Sequence, residues 1–84
     1  MNPADTRDVI IELLRDIAPD VDPSTLDPRA DLRDELDLDS MDTLNLVTGI
    51  ERELHVTVPE SDYPQLRTVD GAVEYVHARR AAAS

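Results

Sequence analysis

Few side chains in this sequence can do chemistry, and the most pointedly placed is Ser40. It stands between Asp39 and Met41, where a long proline-bearing stretch gives way to an amphipathic run. A serine there can be an ordinary first-turn residue, a nucleophile, or the attachment point for a group added by another enzyme. A nucleophile needs a base and a group to orient it. The histidines are His55 and His77. His55 lies down the same predicted helix, on the order of 22 Å away at about 1.5 Å per residue. His77 falls near the end of the last predicted helix. No Gly-x-Ser-x-Gly elbow surrounds Ser40. Hydrolase chemistry is therefore set aside and no catalytic residue is assigned. Attachment fits better, because a first-turn serine is exposed and helix amides favour a phosphate there. Asp39 and Asp42 repel that phosphate, so the step calls for an enzyme and a charge-masking divalent cation.

The acidic run Asp34, Glu35, Asp37, Asp39 and Asp42 could suggest calcium. It lacks the central glycine and the terminal bidentate glutamate of an EF-hand loop. It reads as a solvated acidic face or a weak binder of divalent cations, and no dedicated metal site is assigned.

The elements that position Ser40 follow from apolar spacing. Asn2 and Pro3 open a first helix as N-cap and first helical residue. Val9, Ile10, Leu13, Leu14 and Ile17 carry its inner face, and Pro19 ends it. Residues 19–38 read as a long loop, in which Val21, Leu26, Leu32, Leu36 and Leu38 serve as apolar pegs. A short helical turn is expected near Leu32–Leu36. The second helix runs from Ser40 to Leu54, with Asp39 as N-cap and Asp42 completing a variant capping box. Leu46, Val47, Ile50 and Leu54 form its core face. Met41 and Leu44 lie on roughly the opposite face. Gly49 costs up to about 1 kcal/mol against alanine in mid-helix. Val56-Thr57-Val58 reads as an extended connector. Pro59 to Asp62 starts a short turn that Pro64 is expected to limit. Thr68 caps a last helix carrying Val69, Ala72, Val73 and Val76, with Arg79 and Arg80 in its last turn and Ala81–Ser84 fraying. The fold class is all-α: a four-helix bundle of three main helices and one short one, with a long loop between the first and second.

Composition narrows the function. The chain has 84 residues, with 19 acidic side chains against 8 basic ones, all arginine, for a net charge of −11. This implies a single domain over residues 1–84, repelled by nucleic acid and by anionic membranes and drawn to basic partner surfaces. With no cysteine, neither disulfides nor a thiolate zinc site can form. No apolar run reaches the roughly 18 residues of a membrane span, and no basic-then-apolar leader is evident, so the cytoplasm is the expected compartment.

Asp39-Ser40-Met41 followed by Asp42-Thr43-Leu44-Asn45-Leu46-Val47 resembles the Asp-Ser-Leu motif and recognition helix of acyl carrier proteins. Glu51–Leu54, Val56–Pro59 and Thr68–Val76 fall into register with that family without gaps. The resemblance implies that Ser40 carries 4′-phosphopantetheine, a covalent cofactor drawn from coenzyme A, whose thiol holds acyl groups as thioesters. It implies a non-enzymatic, monomeric carrier serving fatty-acid, polyketide or specialised lipid biosynthesis. Asp39 matches the aspartate that positions the metal during loading by the phosphopantetheinyl transferase (holo-synthase). Met41, Asp42, Leu44, Asn45, Thr48, Glu51 and Arg52 match positions that dock on acyl-transfer, condensing or ligase enzymes with basic patches, and Glu53 is a further acidic position of that kind. Leu46, Val47, Ile50 and Leu54 match the core around the acyl pocket. The start at Met1 just before the first helix suggests a free-standing carrier.

The sequence also departs from the family pattern. Asp37-Leu38 stands where many members have a glycine and a small residue, which implies a stiffer approach to the serine. Met41 replaces the usual leucine. Asn45 and Arg52 occupy frequent glutamate positions, which points to specialised partners. Tyr63-Pro64 alters the short third helix. Two other readings stay open: a stand-alone aminoacyl or peptidyl carrier, and an unmodified acidic helical adaptor.

Overall fold

The computed structural model describes residues 2–83. Three 15-residue α-helices dominate it: α1 Pro3–Ile17, α3 Ser40–Leu54 and α4 Val69–Ala83. A four-residue helix, α2 Leu32–Glu35, lies between α1 and α3. A 3₁₀ segment, η1 Glu60–Leu66, lies between α3 and α4. There is no strand among the described residues, and residues 56–58, the expected connector, carry no regular secondary structure.

Local chemistry sets the helix boundaries. The Asn2 side chain accepts the Asp5 N–H at 2.9 Å, and Pro3 follows where no amide is needed. At the far end the Ala18 N–H closes back on the Leu14 carbonyl, and Pro19 prevents a further turn. The helix α4 starts with the Gly71 N–H bonded to Thr68 Oγ1 at 2.8 Å. A Cβ on Gly71 would lie 2.7 Å from the Gln65 carbonyl oxygen, so η1 and α4 approach as closely as they do because glycine is there. This last helix continues through Ala83, where fraying from Ala81 was expected. Ser84 lies outside the described residues.

The segment between α1 and α3 is long but not loose, and its aspartates are what order it. Asp22 accepts the Ser24 N–H, Asp27 the Arg29 N–H and Asp31 the Arg33 N–H, each at 2.9 Å. These are three successive turns in which a carboxylate replaces a backbone acceptor. The Ser24 hydroxyl also donates to Asp22, and together these bonds hold the exposed Asp22 carboxyl below its ordinary pKa. Leu32 and Leu38 are buried, while Val21, Leu26 and Leu36 are half-buried, so the apolar pegs do engage the bundle. Two backbone bonds fasten the segment to the other end of the chain: Leu32 N–H to the Arg67 carbonyl at 2.7 Å, and Asp70 N–H to the Pro28 carbonyl at 3.0 Å.

The core is aliphatic. Ile10 and Leu14 of α1, Val47, Ile50 and Leu54 of α3, and Val69, Ala72 and Val76 of α4 are all at most 1% exposed. Gly49 lies against α1: a Cβ there would come 2.7 Å from a Leu13 methyl, so its helix-propensity cost is offset by a close α1–α3 contact. The buried polar residue is Thr6, which donates to the Asn2 carbonyl and lies 3.1 Å from His77 Nε2, joining α1 to α4.

A second expectation also fails. Pro64 does not limit the turn after Pro59; η1 runs through it to Leu66. Proline already holds the φ a helix needs, and the absence of its N–H costs one bond in a short 3₁₀ run. Burial of Leu66, 3% exposed, carries the turn onward. The segment is also tied to α4 by the Tyr75 hydroxyl, which donates to Asp62 Oδ2 at 2.7 Å.

Candidate functional site

Ser40 is the first residue of α3 and is exposed. Asp39 precedes it in extended conformation, and its Oδ1 accepts the Asp42 N–H at 2.8 Å. Asp42 Oδ2 accepts the Asp39 N–H in return at 3.2 Å. This reciprocal box fixes the chain on both sides of Ser40 and satisfies part of the helix end. The Ser40 hydroxyl has no side-chain hydrogen bond among the described residues, so it is free to react. Three residues earlier Asp37 has φ 55°, in the left-handed region that glycine enters most easily. The glycine missing from the sequence at this point is thus missing where the backbone would use it.

An open groove of about 520 Å³ starts at Ser40. Thr43 and Leu44 of α3 form one wall, and Glu60, Tyr63 and Pro64 of η1 form the other, with Arg33 and Arg67 at its border. Beneath it a void of about 20 Å³ is lined by Leu32, Leu38, Leu46 and Leu66, and again by Arg33, Thr43, Tyr63 and Arg67. Of the four expected pocket residues, Leu46 borders this void; Val47, Ile50 and Leu54 belong to the main core. Leu32, Leu38 and Leu66 were not expected there. Nor were Arg33 and Arg67, which come together through the Leu32–Arg67 backbone bond rather than through any local pattern.

The expected docking residues divide across α3. Met41 and Leu44 are the large apolar side chains left exposed among the described residues, at 64% and 44%. Leu44 lines the Ser40 groove. Asp42, Asn45, Thr48 and Arg52 border a second groove of about 390 Å³, against Leu13, Asp16 and Ile17 of α1. The Arg52 charge is met by Glu53 at 3.3 Å. Glu51 faces elsewhere: its Oε2 accepts the Val58 N–H at 3.0 Å and holds the connector against the helix end. His55 caps the C-terminal end of α3 in the left-handed region, φ 56°.

The described residues contain no cluster of three or more His, Cys, Asp or Glu that could hold a metal ion. No helix among them is long and apolar enough to cross a membrane. A small all-helical body with an unpaired serine hydroxyl at a helix start beside a groove leaves that hydroxyl accessible to an enzyme that would attach a group there. The residues present fit a prosthetic arm: a free primary hydroxyl, a groove beginning beside it, and an apolar void beneath.

Comparison with known proteins agrees. The family model for the phosphopantetheine attachment site matches residues 8–76. The acyl carrier protein of Rubrobacter xylanophilus is 32% identical over 73 residues, covering 83% of this chain and 90% of that protein. That of Thermosynechococcus vestitus is 30% identical over 76 residues, covering 87% and 94%. The mitochondrial acyl carrier protein of Neurospora crassa is 40% identical over 55 residues, which is 66% of this chain; the match spans only 41% of that longer protein. The chain belongs to the acyl carrier protein family, whose members are non-enzymatic carriers with covalently attached phosphopantetheine.

Proposed function

We propose that the chain, acting as one domain, carries acyl intermediates on an arm attached to Ser40 and presents them to partner enzymes. The observation that carries this reading is the unpaired, exposed Ser40 hydroxyl held at the start of α3 by the Asp39–Asp42 box. In loading, Ser40 Oγ–H gives its proton to a base on the phosphopantetheinyl transferase. The oxygen then bonds to phosphorus as the nucleotide part of coenzyme A leaves. Asp39 Oδ1 holds the cap, which leaves Oδ2, without a hydrogen bond among the described residues, as the oxygen that would help position the loading enzyme's metal. When bound, the arm supplies the thiol that this cysteine-free chain lacks and so carries acyl cargo as a thioester.

Met41 and Leu44 supply apolar contact for partner enzymes, and Asp42 supplies charge for their basic patches. Asn45, Thr48 and Arg52 extend that surface towards α1, with less negative charge than a glutamate-bearing helix has. This favours condensing, acyl-transfer or ligase enzymes of a specialised pathway. Glu51 contributes to docking mainly by fixing the connector. The compartment we assign is the cytoplasm, and the unit is a monomer.

Intact mass after incubation with coenzyme A and a broad-specificity phosphopantetheinyl transferase tests the reading. A gain of one phosphopantetheine is expected, and none in Ser40→Ala. No gain with several transferases would sink it. Mass spectrometry of the protein from its native cell then identifies the cargo.

A further inference from the structure

Two positive charges at the Ser40 groove have no partner. Arg7, Arg15 and Arg52 pair with carboxylates, and Arg79 lies over the Tyr75 ring; Arg29 and Arg80 also have no side-chain partner among the described residues but border neither the groove nor the void. The guanidinium groups of Arg33 and Arg67 have neither hydrogen bond nor ion pair among the described residues, in a chain with 19 acidic side chains. They come from different elements, Arg33 from α2 and Arg67 from the residue after η1. The 2.7 Å bond from Leu32 N–H to the Arg67 carbonyl joins the two segments that carry them. Both border the groove that begins at Ser40, and both border the void beneath it. Glu60 is the one carboxylate among the groove's lining residues. The groove is therefore locally cationic in a body of net charge −11. A partner enzyme with a basic surface would be repelled by these two side chains, so their placement suits a small anion held by this chain itself.

We propose that Arg33 and Arg67 form a clamp that holds a singly charged oxyanion of whatever is attached at Ser40. This rests on the carrier reading of Ser40. Two sources share that chemistry: the phosphodiester joining the arm to the serine, and a carboxylate at the far end of an acidic cargo. A guanidinium binds either through two parallel charge-assisted hydrogen bonds. Tethering at Ser40 raises the effective concentration of the anion at the groove without any new contact. Because both arginines are exposed, removing one shifts the balance between docked and free arm by roughly two- to five-fold rather than abolishing docking.

The test compares the protein loaded with the bare arm, with a neutral acyl group and with an acyl group ending in a carboxylate. Intact mass confirms loading first, so a failure at Ser40 is seen separately from a failure of the clamp. The readout is ¹⁵N NMR of the Arg33 and Arg67 side-chain Nε–H groups and of the Tyr63 and Leu66 amides. The phosphodiester source moves both arginine signals equally in all three loadings. The carboxylate source moves them only with the carboxylate-ended cargo. Arg33→Gln and Arg67→Gln each lower the docked fraction, and Glu60→Gln raises it. The Glu60 variant keeps the test open should an arginine variant fold poorly. Arginine signals that stay in place in all three loadings, or arginine variants that dock the arm as well as the parent, overturn the proposal.

Discussion

At its N-terminal end α3 is closed by two carboxylates that exchange hydrogen bonds with each other's amides, and Ser40 and Met41 stand in solvent beside them. At its C-terminal end it is closed by His55 in the left-handed region, while Glu51 takes the Val58 N–H and Leu54, Val56 and Val58 sink into the core. Each end has a carboxylate accepting a backbone amide, and each has a non-glycine residue at positive φ nearby, Asp37 before the start and His55 at the finish. They differ in what is buried. The C-terminal end is anchored by three buried aliphatic side chains, whereas at the N-terminal end Leu38, just before the cap, is buried and the exposed residues Asp39 to Met41 are held by polar contacts. A surface that must be handled by several enzymes cannot be apolar and buried, so its geometry has to come from local hydrogen bonds. Stability is placed elsewhere on the same helix.

That division can be broken at its anchored end. Leu54→Ala leaves a cavity in the core and is expected to cost about 2–5 kcal/mol. Thermal or urea unfolding measures it, while loading at Ser40 per folded molecule stays as in the parent. A variant that unfolds normally but loads poorly would show that the two ends are not separable. Glu51→Ala comes next, at about 1.5 kcal/mol, because it strands the half-buried Val58 N–H. Chemical denaturation with native-state hydrogen exchange at Val58 checks this, and an unchanged exchange rate there would remove Glu51 from the anchor.

How much of this was legible depends on the range of the interaction. The core face Leu46, Val47, Ile50 and Leu54 repeats at helical spacing, and the Asp39–Asp42 box spans three residues, so both could be read from the chain. The three aspartate turns of the α1–α3 segment are equally local, yet only the apolar pegs of that stretch were read from the chain as ordering it. Pro64 was misread because a proline signals a stop more strongly in an α-helix than in a 3₁₀ turn drawn on by a buried leucine. Gly49 carried a visible propensity cost, but the partner that explains it, Leu13, sits on another helix and could not be named from the chain. Arg33 and Arg67 were invisible as a pair for the same reason: no sequence pattern spans the distance between them.

The wall of the groove offers a smaller perturbation. Burial pushes the Tyr75 hydroxyl above its ordinary pKa of 10.0, and its hydrogen bond to Asp62 adds to that. A raised folded-state pKa means that this contribution is whole below pH 10 and is lost as pH rises through the folded value. The parent should therefore lose stability in alkali more steeply than Tyr75→Phe. At neutral pH the variant lacks one hydrogen bond, worth about 1 kcal/mol. Melting curves across that pH range check both, and parallel curves would mean that Tyr75 does not tie η1 to α4.

The gentlest perturbation falls at the presenting end itself. Asp37 occupies φ 55° with a Cβ, a conformation that aspartate tolerates better than most residues but glycine better still. Asp37→Gly relieves that strain and also frees the unfolded chain, so the two effects partly oppose. The expected balance is a gain of about 0.5 kcal/mol. Asp37→Asn separates charge from conformation, because it removes the negative charge and keeps the left-handed preference. If both variants are stabilised alike, the effect is relief of acidic repulsion. If only glycine stabilises, the backbone at Asp37 is strained, and the approach to Ser40 is stiffened at a measurable cost. Loading rates of the two variants with the transferase then decide whether that stiffness matters to the enzyme that must reach the serine.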